Sequence, residues 1–306
     1  MSKKILFMGT PDYATRIFKE LINSSYDLIG LFTQPDKPVG RKQILTAPHI
    51  KQFCIDENIE LPIFQPEKLR GNEQAVLDIK KLNPDFIIVA AYGQILPKEI
   101  LDIAPCINLH ASLLPKYRGA SPIQESLLND DNFTGVTSMF MEEGLDSGDI
   151  LACQYLKITP TMEVDLAFDK LSDIAAELTI TTLDNFEKIQ PKKQNESEVS
   201  FCKKIKKEHG LVDFSNAKAL FLKYKAYSYW PGVFLSSGLK LKDIELIECD
   251  SSNTEATILQ IEEDYILLGC KKGSIKIKTI QAPSKKALVS SVYIRGQRLE
   301  IGDVLK

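Results

Sequence analysis

The run Phe-Ile-Ile-Val-Ala at 86–90 is the feature that most restricts the possible folds of this chain. It is apolar at every position, as expected of a central strand in a parallel sheet that is covered on both faces. The residues before this run predict a strand at 3–9, a helix that begins at Pro11 and a second strand at 26–33. A strand, a helix and a strand at this spacing indicate two parallel strands joined by a right-handed crossover. The sequence therefore predicts an α/β domain with a mainly parallel, Rossmann-like sheet.

The elements that follow extend this sheet, and after about residue 215 the pattern changes to short alternating segments. We predict helices at about 47–58, 73–82, 97–101, 123–129 and 164–189, and further strands near 62–64 and at 106–110, 134–141 and 150–158. After a helical patch at 215–227, short alternating segments with Gly and Lys turns predict a small β-barrel. The first turn reads Gly-Thr-Pro and lacks the G-x-G-x-x-G pattern, which disfavours a nicotinamide enzyme.

A polar stretch with one proline, at 190–202, interrupts this pattern. It has no apolar periodicity and is predicted to be a linker. At 306 residues the chain is long enough for two domains with separate cores. We therefore predict one domain at 1–189, the linker at 190–202 and a barrel domain at 203–306.

Charge is distributed unevenly along the chain. Residues 1–200 hold 20 Lys and Arg against 29 Asp and Glu, whereas residues 201–306 hold 18 against 12, so the net charges are −9 and +6. A basic C-terminal part joined to an acidic one fits a polyanion that docks on one side only. The alternative is that the lysines merely keep a small domain in solution.

Cysteine and histidine usage bears on metals and redox state. The six cysteines include no C-x-x-C pair and there are only three histidines, so we expect reduced thiols, no disulfide-linked partner and no metal. No segment approaches the roughly 18 consecutive apolar residues of a membrane-spanning helix. The apolar run after the opening Met-Ser-Lys-Lys is too short for a signal peptide. We expect a monomeric, cytoplasmic protein without a membrane partner.

Two polar side chains on the predicted strand at 106–110 are candidate catalytic groups. Asn108 and His110 are two residues apart, so both face the same side of the strand. An amide donor beside an imidazole can stabilise an oxyanion and move a proton near neutral pH. Asp146, in a tight turn bounded by glycines, supplies a candidate carboxylate to orient the imidazole. The alternatives are a structural histidine and a turn-forming aspartate.

Ordered motifs extend over most of the chain. They include Asn-x-His-x-Ser-Leu-Leu-Pro followed by x-x-Arg-Gly at 108–119, and Gly-Leu-Asp-x-Gly at 144–148. Together they resemble the active-site signature of the folate-dependent formyltransferases. Met-Gly-Thr-Pro at 8–11, Phe-Thr-Gln-Pro-Asp-Lys-Pro-Val-Gly-Arg at 32–41 and Ala-Tyr-Gly-Gln-Ile-Leu-Pro at 91–97 narrow the resemblance to the branch that formylates initiator methionyl-tRNA.

The resemblance implies an activity, a cosubstrate and a second domain. The activity is transfer of the formyl group of 10-formyltetrahydrofolate to the α-amino group of methionine on the initiator tRNA, for translation initiation. Asn108 and a protonated His110 would stabilise the tetrahedral intermediate, and Asp146 would relay protons. The barrel is implied to be OB-like and to bind tRNA.

A folate pocket is implied by the same resemblance. The turn at Tyr92 and Gly93 is implied to lie against the pterin ring through main-chain groups, where glycine permits a close approach. The turn that follows His110 shapes the pocket with an apolar wall and a fixed backbone, through Ser112, Leu113, Leu114 and Pro115. Formyl transfer needs no covalent intermediate, so Ser112 is not assigned as a nucleophile.

Basic residues in three places are candidate tRNA contacts. The loop at 34–46 is predicted to be a surface segment whose cations gain by neutralising phosphate, and the resemblance implies that it enters the acceptor stem. Its alternative is a solvated connection. The candidates are Lys37, Arg41 and Lys42 in this loop, Lys203, Lys204 and Lys207 after the linker, and Lys285 and Lys286 near the C-terminus.

Other interpretations remain open. The same catalytic trio serves a 10-formyltetrahydrofolate-dependent enzyme acting on a small amine, such as a ribonucleotide or amino-sugar, although a small amine needs neither the basic loop nor a basic domain. A non-catalytic RNA-binding module is disfavoured by the intact trio. Arg118 either anchors its own loop or touches ligand, and Trp230 is assigned to packing rather than to base stacking. Ala111 stands where we expect Gly in some relatives.

Overall fold

A computed structural model describes residues 2–40 and 42–305 of the chain. These residues divide into two compact units. The first unit comprises Met1–Pro122, Phe133–Lys157 and Phe168–Cys202, and the second comprises Ile123–Asn132, Ile158–Ala167 and Lys203–Lys306. The stretch 190–202, which the sequence predicts as a linker, therefore groups with the first unit.

The strands and helices of the N-terminal two thirds are as follows. The strands are β1 (Lys4–Gly9), β2 (Asp27–Phe32), β3 (Lys37–Val39), β4 (Ile44–Thr46), β5 (Ile63–Phe64), β6 (Phe86–Ala90), β7 (Cys106–His110), β8 (Arg118–Gly119), β9 (Phe133–Phe140), β10 (Ile150–Lys157) and β11 (Phe201–Cys202). The helices are α1 (Asp12–Asn23), α2 (His49–Asp56), α3 (Glu73–Leu82), α4 (Lys98–Leu101), α5 (Pro122–Leu128) and α6 (Val164–Asp184).

The main sheet of the first unit has, among the described residues, the order β10-β9-β7-β6-β1-β2-β5. Pairing is parallel from β7 to β5, whereas β9 is antiparallel to β7 and β10 to β9. Every residue of β6 and β7 is buried, as the apolar run at 86–90 predicts. The Rossmann-like, mainly parallel sheet is confirmed, and the carboxyl ends of β1, β6 and β7 share one edge, where ligands bind in such folds.

The basic segment at 34–46 differs in part from the prediction of an irregular loop. Its ends pair as the antiparallel strands β3 and β4, with Lys37 opposite Thr46. Between them Gly40 has a φ of 72°, a conformation that glycine adopts at no steric cost. Both strands are exposed along their whole length, and without a buried face the sequence shows no apolar alternation. Arg41 lies outside the described residues.

The second unit carries an antiparallel sheet. Its remaining elements are β12 (Val233–Phe234), β13 (Lys240–Glu248), β14 (Thr257–Ile261), β15 (Ile266–Gly269), β16 (Ser274–Gln281), β17 (Leu288–Val289), α7 (Ala217–Tyr227) and α8 (Ser290–Gly296). The order is β12-β13-β16-β15-β14, with β17 on β16, and no pairing among residues 203–305 closes the sheet. This arrangement is consistent with the predicted small barrel.

Two features of the second unit differ from expectation. Helix α8 is absent from the sequence prediction, and its Ile294 is fully buried in the core of this unit. Trp230 is not a core residue, because half of its side chain is exposed in the turn that follows α7. No described helix is both long enough and apolar enough to pass through a bilayer.

Candidate active site

Asn108 and His110 lie on β7, between the parallel strand β6 and the antiparallel strand β9. Asn108 is opposite Val89 of β6, and His110 is opposite Thr137 of β9. Because they are two residues apart on one strand, both side chains leave the same face. Asn108 is 9% and His110 6% exposed, so the two polar groups are nearly enclosed by protein.

The imidazole of His110 has a defined orientation. Its Nε2 lies 2.9 Å from the carbonyl oxygen of Tyr117. A carbonyl only accepts, so Nε2 carries a proton and donates it to this oxygen. The other ring nitrogen, Nδ1, lies 3.7 Å from Oδ2 of Asp146. Nδ1 is therefore the nitrogen that faces the carboxylate and is left for chemistry.

Asp146 reaches this position from the turn between β9 and β10. Its Oδ2 accepts the backbone N–H of Gly119 at 2.8 Å, and its Oδ1 lies 3.5 Å from Nδ2 of Asn108. The last distance is at the outer limit of a hydrogen bond, so the amide keeps donor capacity for another acceptor. The structure thus brings together the three side chains that the sequence selects from two distant motifs.

A second set of polar groups holds the Asp146 turn in place. Gln194 donates through Nε2 to the carbonyl oxygens of Asp146 and Gly148, both at 2.8 Å. Its Oε1 accepts from Nε of Arg118 at 3.0 Å. Arg118 is only 4% exposed and also pairs with Glu196, which settles its two open interpretations in favour of an internal anchor. Sequence reasoning missed Gln194, since nothing distinguishes it from other polar residues of 190–202.

The turn after His110 is fixed by its own hydrogen bonds. Ser112 is fully buried, and its hydroxyl donates to the carbonyl oxygen of Lys116 at 2.7 Å. Thr137 Oγ1 donates to the Ser112 carbonyl at 2.7 Å and accepts the Leu114 N–H at 3.1 Å. The Ser112 hydroxyl is therefore engaged in the turn itself, while Leu113 and Pro115 are only partly buried. Ala111 is not among the residues with a left-handed φ, so its methyl group is accommodated.

The turn after β6 is also anchored at the shared sheet edge. The carbonyl oxygen of Tyr92 accepts from Thr10 Oγ1 at 3.1 Å and from Gln34 Nε2 at 3.2 Å. The Tyr92 ring lies in the core of the first unit, and burial raises the pKa of its hydroxyl. Gly93 is exposed with a φ of 82°. The Tyr92 carbonyl is thus already engaged by two side chains, and Gly93 is the exposed residue of this turn.

A buried tyrosine that sequence reasoning missed supports the catalytic strand. The Tyr13 hydroxyl donates to the carbonyl oxygen of Leu109, between the two catalytic candidates, at 3.1 Å. Tyr13 is 5% exposed, and burial raises the pKa of its hydroxyl. The contact connects α1 to β7 at the residue between the two catalytic candidates.

The predicted tRNA contacts are exposed within each unit. In the first unit these are Lys37 and Lys42, and in the second they are Lys203, Lys204, Lys207, Lys285 and Lys286. The sequence prediction missed a further groove in the second unit, which is lined by Ser228, Tyr229, Lys240 and Lys242. The alternation Lys-Leu-Lys on β13 was its only signal, because it places both lysines on one face. No cluster of His, Cys, Asp and Glu suited to a metal occurs in the described part of the chain.

Comparisons with known proteins agree with the geometry. Residues 3–183 match the family described as formyl transferase, and residues 204–298 match its C-terminal domain. Proteins named methionyl-tRNA formyltransferase from Nitratiruptor sp. and from Campylobacter lari are each 55% identical to this chain. The alignments cover 98% and 99% of this chain, and 99% of each relative.

Solved structures share the fold at lower identity. HypX from Aquifex aeolicus in complex with tetrahydrofolic acid has a TM-score of 0.65 and 17% identity, over 96% of this chain and 47% of that one. The N-formyltransferase from Helicobacter canadensis, in complex with folinic acid and dTDP-3-aminofucose, has a TM-score of 0.67 and 15% identity, over 92% and 100%. Because the family matches and the 55% identity extend over nearly the whole chain, it belongs to the formyl transferase family, within the group of methionyl-tRNA formyltransferases.

Proposed function

We propose that this protein transfers the formyl group of 10-formyltetrahydrofolate to the α-amino group of methionine on initiator methionyl-tRNA. The observation that carries the proposal is the convergence of Asn108, His110 and Asp146 at one edge of the sheet. Relatives that share 55% of their residues with this chain carry the corresponding name.

Formyl transfer requires an acceptor for one proton and donors for one oxyanion. The amine nitrogen attacks the formyl carbon, and the carbonyl electron pair moves onto oxygen. Asn108 Nδ2 and a protonated His110 Nδ1 are the donors for that oxygen, each interaction of this kind contributing about 3–4 kcal/mol. Asp146 accepts the proton that the amine loses. The oxyanion electron pair then re-forms the carbonyl as the C–N bond to the folate breaks, and the departing nitrogen takes up the proton that Asp146 holds.

The folate cosubstrate is assigned to the turns that flank this trio. Leu113 and Leu114 give an apolar wall, with Pro115 closing the turn, and main-chain groups of Tyr92 and Gly93 give polar contacts. Ser112 supports the turn from inside. These assignments fit a reaction that uses no metal, because its charge is met by hydrogen-bond donors.

The tRNA is assigned to the basic residues of both units. In the first unit the β3–β4 hairpin presents Lys37 and Lys42, and Arg41 lies between them in the sequence. In the second unit the candidates are Lys203, Lys204, Lys207, Lys285 and Lys286, to which we add Lys240 and Lys242. Exposed cations gain most from phosphate, because binding releases the counterions of the nucleic acid. We place the protein in the cytoplasm, as a monomer.

One assay tests this proposal against its competitor. The purified protein is incubated with 10-formyltetrahydrofolate and methionyl initiator tRNA, and N-formylmethionine is measured after hydrolysis of the ester. Parallel reactions contain free methionine, an amino-sugar nucleotide or an amino ribonucleotide in place of the tRNA. We expect product only with the charged tRNA. Transfer to a small amine without transfer to the tRNA would overturn the proposal.

A further inference from the structure

Gln194 holds the turn that carries Asp146 through two hydrogen bonds. Both hydrogens of its side-chain amide are used on carbonyls of that turn, those of Asp146 and Gly148, at 2.8 Å each. Gln194 is 8% exposed, so these bonds are shielded from competing water. Asp146 itself has a φ of 48°, in the left-handed region that residues other than glycine rarely adopt. Such a conformation persists where surrounding contacts impose it.

The orientation of the Gln194 amide is fixed by Arg118. The guanidinium Nε donates to Gln194 Oε1 at 3.0 Å, which leaves the amide nitrogen pointing at the turn. The same guanidinium donates to both carboxylate oxygens of Glu196, at 2.8 and 3.4 Å. Reversing the amide would set its NH₂ against a cation and its oxygen against two carbonyls. The amide therefore has one satisfied orientation.

The segment 190–202 reaches Asp146 by a second route. Strand β11 pairs in parallel with β8, where Arg118 is opposite Phe201 and Gly119 is opposite Cys202. The Gly119 N–H then donates to Asp146 Oδ2 at 2.8 Å. The main chain of Asp146 is thus held through Gln194, and its carboxylate through the strand pair.

We propose that Gln194 is a positioning residue for the Asp146 carboxylate, and that two parts of the segment 190–202, Gln194 and strand β11, belong to the framework of the active site. The proposal rests on the proposed function, in which Asp146 accepts the proton of the attacking amine. Without the two amide hydrogens the turn lacks the hydrogen bonds that hold Asp146 in its left-handed conformation. The carboxylate then leaves its place beside His110 Nδ1, while the folate and tRNA sites stay intact.

Double-mutant kinetics test this inference. Gln194→Met removes both donors at similar size, and we expect kcat for formyl transfer to fall about 10- to 100-fold, as for a misplaced catalytic group. KM for 10-formyltetrahydrofolate should change less than about twofold, since ground-state binding is untouched. In the Asp146→Ala background the same change should have almost no further effect, because a residue that acts through another is not additive with it.

Two further variants separate positioning from folding. Asn195→Ala removes an exposed neighbour that caps only its own short helix, and it should leave kcat unchanged. Gln194→Glu keeps the pair with Arg118 but turns a carboxylate oxygen towards the two carbonyls, and it should lower kcat like Gln194→Met. Unchanged kcat in both Gln194 variants, or an equal loss in the Asp146→Ala background, would overturn the inference.

Hydrogen–deuterium exchange gives a readout that does not depend on the reaction. We expect faster exchange in peptides covering 112–121 and 142–150 for Gln194→Met, and wild-type exchange for Asn195→Ala. Unchanged exchange in Gln194→Met would contradict the positioning role. A wild-type protein that fails to formylate methionyl-tRNA would refute the proposed function, while the exchange result would still decide whether Gln194 holds the turn.

Discussion

His110 Nδ1 and Asp146 Oδ2 lie 3.7 Å apart, although 36 residues separate them in the sequence. Asp146→Asn keeps the size of this side chain and removes its capacity to accept a proton. We expect kcat for formyl transfer to fall by about 10²–10⁴, the range of a general base. KM for the folate should stay close to that of the wild type.

Glu143→Gln is the matched control, because Glu143 is an exposed carboxylate only three residues earlier. It should leave kcat unchanged. If both substitutions lowered kcat equally, the negative charge of the turn would be what matters, and Asp146 would not be a specific proton acceptor. In the same assay His110→Ala should be at least as damaging as Asp146→Asn, and near-normal turnover of that variant would refute the mechanism.

Asn108→Ala removes the amide that we propose as the neutral donor for the oxyanion. We expect a loss of about 3–4 kcal/mol of transition-state stabilisation, which is roughly 10²–10³ in kcat. Asn108→Asp should be worse, because it places a second carboxylate beside Asp146, whose Oδ1 lies 3.5 Å from the amide nitrogen. Steady-state kinetics with both substrates check this. An effect on KM alone would reassign Asn108 to ground-state binding.

The catalytic candidates of this site are predictable from local sequence. The residues that hold them in place are not. The apolar run of β6 determines a covered parallel sheet, and the spacing of Asn108 and His110 determines their common face. Gln194 has no such signature, because its partners in the turn are main-chain carbonyls, which every residue has, and Asp146 lies 48 residues away. Helix α8 escaped prediction because it is short and has no side-chain cap.

Gly119→Ala tests the close approach that β8 and β11 require. Gly119 has a φ of 121°, and a Cβ there would collide with the carbonyl oxygen of Cys202. We expect the free energy of unfolding to fall by more than the roughly 1–3 kcal/mol of backbone strain alone. Urea denaturation measures the loss, and kcat should fall with it because Gly119 N–H holds Asp146.

Gly71→Ala separates strain from collision. Gly71 also has a left-handed φ, of 74°, but no atom lies within 4 Å of an added Cβ. Its cost should be limited to about 1–2 kcal/mol. If both alanines cost the same, the contact with the Cys202 carbonyl is not what excludes a side chain at 119.

Because the thiol of Cys106 is buried, we expect the folded protein to lose stability at alkaline pH. Burial raises the pKa of this thiol from 9.0 to about 12, so between these values the unfolded chain loses a proton that the folded protein keeps. Stability therefore decreases as the pH rises. The contribution of the buried thiol to the free energy of unfolding is fully present below pH 9, and above pH 9 it falls by about 1.4 kcal/mol per pH unit. Cys106→Ala should lack this component, as denaturation at pH 8 and pH 10.5 would reveal. Parallel pH dependences would contradict the assignment.

The basic hairpin β3–β4 yields the last prediction, which concerns tRNA recognition. Lys37 and Lys42 are exposed and Arg41 stands between them in the sequence, so reversing their charge should weaken tRNA binding and leave folate binding intact. Arg41→Glu should raise KM for methionyl-tRNA, and the slope of log affinity against log salt should shrink by about one for each phosphate that the variant no longer neutralises.

Lys80→Glu on α3 makes the same change of charge on an exposed position of the same unit and should have a smaller effect on both quantities. Folate affinity, measured by fluorescence titration, should be equal in all these variants. Loss of folate and tRNA binding together in Arg41→Glu would mean that the hairpin supports the catalytic pocket and does not contact the nucleic acid. An unchanged salt slope with weaker binding would instead indicate a contact that neutralises no phosphate, because only displaced counterions make affinity depend on salt.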